Sequence, residues 1–136
     1  MADIILSKSN WWKTACINAA LRGINFASPQ TLYIALYTSS PTDADTGQEV
    51  SGGGYTRRAV TFSEPVIADR WAVVASISDV VFPIASAKWG LITHVGIRDA
   101  ATGGNLIYYG AITTPRTAET NDTLRFLAGQ LKVNEG

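Results

Sequence analysis

With one cysteine and one histidine in 136 residues, the chain has too few of either for an internal disulfide or a Cys/His metal site. Its fold must hold by packing and hydrogen bonding alone. There is no excess charge of either sign: eleven Lys and Arg face eleven Asp and Glu. The sole adjacent basic pair, Arg57-Arg58, would point to opposite faces of a strand. That excludes an electrostatically driven nucleic-acid binder, which carries a basic patch or stripe. No apolar run approaches the roughly 18 to 20 residues of a membrane span. The opening Met1-Ala2-Asp3-Ile4-Ile5-Leu6 lacks the basic and long apolar regions of a secretory leader, so synthesis and folding in a cytoplasm is expected. Repeats at a solenoid period are also lacking.

The length fits one domain spanning 1–136, large enough to bury a core without staples. Its most ordered stretch is 89–112. Trp89 to Asp99 and Asn105 to Ile112 are two β-rich arms around Ala100-Ala101-Thr102-Gly103-Gly104, and the glycine pair supplies the positive φ of a hairpin loop. Gly96 and Gly110 lie inside the arms, where a bulge or a close backbone approach is expected.

Residues 1–8 read as a lead without strong preference. A helix follows, with Ser7 or Ser9 as N-cap and Gly23 just past its end. Trp12, Cys16, Ala19 and Ala20 share one face, a small-residue stripe suited to lying against a sheet or a neighbouring subunit. The chain should break at Ser28-Pro29. Thr31 to Thr38 then alternates Leu32, Ile34 and Leu36 with Tyr33, Ala35 and Tyr37, apolar on both faces as in a central strand.

From Ser39 to Gly54 the composition turns to Ser, Pro, Thr, Asp and Gly, and a loop this long is expected to be functional or mobile. Gly52-Gly53-Gly54 reads as a flexible hinge, because phosphate-cradling glycines lead from strand to helix. Asp43, Asp45 and Glu49 lack the spacing of a calcium loop and read as solvated carboxylates. Strands are expected at Thr56–Phe62, at Arg70–Phe82 (one bent or two short) and at 123–133. Thr113 to Asp122 reads as a polar connection. Seven or eight short strands with no crossover helices favour a mainly β, antiparallel sandwich or jelly roll over residues 31–133, preceded by an arm and helix at 1–28.

Catalytic signals are few. His94 sits mid-strand without a visible orienting carboxylate or nucleophile, and reads as a hydrogen-bonded structural histidine. Cys16 reads as a small buried hydrophobe. The carboxylates lie mainly in loops, Asp99 and Glu49 among them, so the paired acids of a glycosidase are not expected. No catalytic residue, metal or cofactor is assigned. The residues singled out as protein-contact candidates are Trp11, Trp12, Tyr33, Tyr37, Tyr55 and Arg57.

Several segments together resemble a family of small tailed-bacteriophage virion proteins often labelled tail-fibre proteins. They are Leu32 to Thr42, Glu49 to Arg57, Phe82-Pro83, Trp89-Gly90 with Thr93 to Ile97, and Asp99 to Leu106. The resemblance spans roughly residues 30 to 133 and implies a virion structural role with no catalytic residues to transfer. Fibre shafts carry long repetitive sequence, whereas this chain is short and non-repetitive. The expected role is therefore a non-enzymatic capsid-surface cement or decoration subunit, a homotrimer contacting the major capsid protein or tail proteins. The alternative is a tail-fibre or receptor-binding module adhering to the host surface.

Overall fold

A computed structural model describes residues 3–26 and 31–135; the break expected at Ser28-Pro29 lies outside them. The apolar lead is a strand. In β1 (Ile4–Lys8), Ile4 and Leu6 alternate with Ile5, and the first two are buried while the third is exposed. Such alternation over five residues is the signature of a half-buried strand, too short to stand out at the start of a chain. The helix α1 (Asn10–Leu21) begins at once. Ser9 is its N-cap, because Ser7 is already committed to β1.

Then follow β2 (Leu32–Tyr37), β3 (Arg58–Val60), β4 (Val66–Ala68), β5 (Trp71–Ala75), β6 (Val80–Val81), β7 (Gly90–Arg98), β8 (Leu106–Ala118), β9 (Arg125–Phe126) and β10 (Leu131–Glu135). The Arg70–Phe82 region is thus two short strands. Among the described residues eight strands form one sheet in the order β3-β2-β7-β8-β1-β10-β5-β4, and β6 pairs with β9 in a second, two-stranded sheet. All pairings are antiparallel except β1 with β10, which run parallel with Ile4 opposite Leu131 and Leu6 opposite Val133. The two ends of the chain thereby lie side by side at the centre of the sheet. Ion pairs Asp3–Lys132 and Lys8–Glu135, each at 2.8 Å, cross that seam.

The sheet curls on itself. Beyond β3, Phe62 bridges to Ser76, and Ser63 donates its N–H to the Ala75 carbonyl at 2.9 Å. The inward faces of both halves meet in one core of Ile34, Leu36, Val95 and Ile97 from one side and Ile4, Leu6, Leu131 and Val133 from the other. Val80, Phe82 and Phe126 bring the small second sheet into the same core. Burying each large aliphatic or aromatic side chain contributes about 1.5–3 kcal/mol.

The hairpin at 89–112 is the widest strand contact in the sheet, and its second arm is longer than expected. Thr113 to Ala118 continues β8 instead of leaving it. His94 pairs with Ala111 but Ile92 pairs with Arg116, so Thr93 alone faces residues 112–115. Pro115 sits in that bulge, where its missing N–H costs no ladder bond. The same slip lets Ile92 and Val95 both reach the core, at 0% exposure each. At Gly110, a β-carbon would stand 2.5 Å from the Ile5 carbonyl oxygen, so only glycine lets β8 approach β1 here.

Candidate interaction surface

Two arginines organise the polar end of the molecule. Arg98 comes from the last position of β7, and its side chain is only 9% exposed. A buried guanidinium needs partners for five N–H donors, and here all five have one. Nη1 donates to the Tyr37 hydroxyl at 3.0 Å and to Asp45 Oδ1 at 2.8 Å. Nη2 donates to Asp45 Oδ2 at 2.9 Å and to the Gly104 carbonyl at 2.8 Å. Nε donates to the Gly103 carbonyl at 3.1 Å. Burial works against the charge of Arg98, but the Asp45 carboxylate and the Tyr37 hydroxyl raise its pKa above the ordinary value. Burial likewise raises the Tyr37 hydroxyl.

Arg57 makes a parallel clamp, with its side chain 6% exposed. Nε and Nη2 grip the two oxygens of Glu49 at 2.8 Å each, in the bidentate geometry that suits a guanidinium. Nη1 reaches the Ala100 and Gly103 carbonyls at 2.8 and 2.9 Å. Tyr55 donates its hydroxyl proton to Glu49 Oε2 at 2.7 Å and accepts the Leu36 N–H at 3.0 Å. Its ring stacks on Phe82 and meets Trp89 edge-on at 5.6 Å. Burial opposes the Glu49 charge, yet Arg57 and Tyr55 together hold its carboxyl below the ordinary range.

The 39–54 loop is therefore tied down along its length. Its carboxylates, expected to be solvated, each have a cationic partner: Asp45 has Arg98, Glu49 has Arg57, and Asp43 has Lys13 of α1 at 2.8 Å. Lys13 and the Tyr109 hydroxyl hold the Asp43 carboxyl below the usual range. That hydrogen bond in turn pushes Tyr109 up to about 12. Among the described residues no three His, Cys, Asp or Glu side chains converge as metal ligands. The triple glycine is also held: the Gly53 carbonyl accepts the Trp89 indole N–H at 2.8 Å and the Ser86 N–H at 2.9 Å. A shallow cleft of about 430 Å³ remains between residues 49–57 and 101–103.

The helix is fastened at its start and bare along its length. The Ser9 side chain caps it by accepting the Trp12 N–H and donates to the Leu106 carbonyl, while Ser9 N–H binds the Ile107 carbonyl at 2.9 Å. None of its twelve residues is buried. Of the small-residue stripe, Trp12, Cys16 and Ala19 turn toward β8 and are half-buried, as is Ala15 beside them, whereas Ala20 is exposed. Burial raises the Cys16 thiol, which keeps it protonated near neutral pH. Ile17 and Leu21 stand 56% and 78% exposed on the far side, with Ile24 beyond them at 48%.

The six contact candidates separate by exposure. Trp11 is 38% exposed and stacks on Trp12 at 6.1 Å. Trp12 turns inward, donating its indole N–H to the Tyr108 hydroxyl at 2.8 Å and meeting Phe26 edge-on at 4.9 Å. Tyr33 is half-buried, and Tyr37, at 1% exposure, lies beneath the 41–47 loop bound to Arg98. Tyr55 and Arg57 belong to the Glu49 clamp. Sequence reasoning passed over Arg98 and read Asp43 and Asp45 as solvated carboxylates, where the structure pairs them with Lys13 and Arg98. One signal was available for Arg98: an arginine ending an apolar strand is buried only with a partner. His94 is half-buried, hydrogen-bonded to the Thr93 hydroxyl at 2.8 Å, and its pKa is lowered by burial.

Fold and polar clusters define a small mainly β module whose charged groups hold its own loops and whose helix presents apolar side chains to the outside. The model of the podophage GP4 fiber I protein gp80 family matches residues 7–134, and the chain belongs to that family. It is thus a bacteriophage virion structural protein of fibre type. No curated protein matches it.

Proposed function

We propose that the chain is a non-enzymatic subunit of a phage tail fibre, joined to copies of itself and to neighbouring virion proteins. The observation that carries this reading is the fibre-family match over nearly the whole chain. Two structural features support it. The buried arginines and loop carboxylates are engaged with one another, and among the described residues they leave no convergent set of free groups poised for chemistry. The exposed apolar residues of α1 offer contact area of the kind partners cover. The two halves of the curled sheet, facing each other across the core, serve as the layers of a sandwich-like body. No metal, cofactor, nucleic acid or membrane enters this reading. Self-association is the claim, and the threefold count expected from sequence is one closed form it could take.

The test is location. Fab fragments raised against the purified chain and imaged on intact phage by electron microscopy should decorate the tail. Decoration of the head would overturn the fibre reading in favour of capsid cementing, and heads lacking the chain should then lose heat resistance. If the fibre also adheres to hosts, the purified chain will bind susceptible cells and not resistant ones.

A further inference from the structure

At one end of the sheet lies β4, which among the described residues pairs only with β5 and is open on its other side. Natural edges of this kind are short, charged or covered, because an open apolar edge is a template for another strand. Here Val66 is 65% and Ile67 75% exposed. The connection to β5 is Asp69-Arg70, with Asp69 at φ 58°. A two-residue hairpin makes its flanking residues, Ala68 and Trp71, a hydrogen-bonded pair, so the next pair inward, Ile67 with Ala72, is not one. The N–H and C=O of Ile67 therefore point away from β5, toward the open edge.

We propose that β4 pairs with β4 of a second copy, antiparallel, about a twofold axis through Ile67. In that register Ile67 meets the second copy's Ile67 as a hydrogen-bonded pair, and Val66 lies opposite the second copy's Ala68. Just beyond the three strand residues, Arg70 of the turn comes within side-chain reach of the second copy's Glu64, and by symmetry Glu64 comes within reach of its Arg70. The edge is complementary to itself in charge as well as shape. Both Glu64 and Arg70 are exposed and form no ion pair within the chain among the described residues. Pro65 falls opposite the second copy's Asp69, where its missing N–H removes one ladder bond on each side of the axis and leaves the Ile67 pair as the main-chain centre of the contact. Ile67 shares a face with Ala72, which lines an apolar groove of about 480 Å³ beside Trp12, Phe26 and Val74. Joining two edges sets two such grooves side by side. The inference gives the self-association in the fibre reading a specific surface, and it is tested in solution, independently of where the protein sits on the particle.

Sedimentation equilibrium of the full chain should show reversible association into units of twice 14.5 kDa. Glu64→Arg alone sets like charges opposite each other at both symmetric sites and should weaken association about tenfold; Arg70→Glu alone should do the same. The double variant E64R/R70E should recover the original constant. The two single variants mixed together should form heterodimers, since every contact between them is again opposite in sign. All positions are exposed, so circular dichroism should show unchanged folding. A chain that stays monomeric at several hundred micromolar, or whose association ignores the charge swaps, would overturn the proposal.

Discussion

Replacing Arg98 with methionine tests how the polar end of the molecule is held. Methionine keeps most of the aliphatic stem but removes five hydrogen bonds. The consequences differ by partner. Asp45, with its side chain 36% exposed, regains water, and the Gly103 and Gly104 carbonyls lie in an exposed turn that water also reaches. Tyr37, at 1% exposure, keeps a buried hydroxyl with no donor to replace the guanidinium. Stranding a buried polar group costs about 1–3 kcal/mol. Losing a partly screened bidentate pair adds roughly 1 kcal/mol once its exposure is discounted. A total of about 3 kcal/mol is a large part of the about 5–15 kcal/mol that stabilises a domain, and for a chain of this size should lower Tm by roughly 10 °C. Thermal melts by circular dichroism measure the shift. Hydrogen exchange localises it: amides in 41–50 and 99–105 should lose protection while β1 and β10 keep theirs. A loss below about 1 kcal/mol with the loop amides still protected would refute the clamp.

Glu49 supplies a pH test. Its folded pKa is depressed below the ordinary 4.5, so its contribution is present above that value and lost as pH falls through the lower folded one; Glu49→Gln should flatten the acid limb of Tm against pH below about 4.5. Gly110→Ala forces a β-carbon to 2.5 Å from the Ile5 carbonyl oxygen, a backbone atom, and should cost about 1–3 kcal/mol in urea unfolding; a neutral result would mean β1 and β8 are not so close. Ile17→Glu with Leu21→Glu alters two exposed positions, so Tm should move by the equivalent of no more than about 0.5 kcal/mol each. If α1 is a contact surface, the same variant should be missing from assembled particles, as read by immunoblot of purified virions.

Family membership and an exposed helix bear on each other. α1 has polar positions at Lys13 and Asn18, yet its apolar Trp11, Ile17 and Leu21 also stand exposed and none of its residues is buried in the isolated chain. On the fibre reading proposed above, a subunit inside a larger particle would resolve this, because the surface left bare in one copy would be covered in the assembly. β4 presents the same situation in strand form, with main-chain groups as well as side chains left open.

Local chemistry settled much of the fold in advance. The alternation in 31–38, the Gly103-Gly104 turn, the Ser9 cap and the mainly β class with one helix are all consequences of short-range sterics and periodicity, which a sequence carries within a few residues. Tertiary structure decided what depends on distant partners. β1 became a central strand because β8 and β10 arrive on either side of it, 97 or more residues later in sequence for Ser9 and its Leu106 partner. Thr113 to Ala118 became strand because a bulge took up Pro115. The 39–54 loop, polar enough to read as mobile, is fixed because Arg57 and Arg98 bring buried charge to it, and a buried guanidinium holds whatever carboxylate the fold sets beside it. Whether a charged side chain is a solvated surface group or a clamp is a matter of burial, and burial belongs to the folded chain.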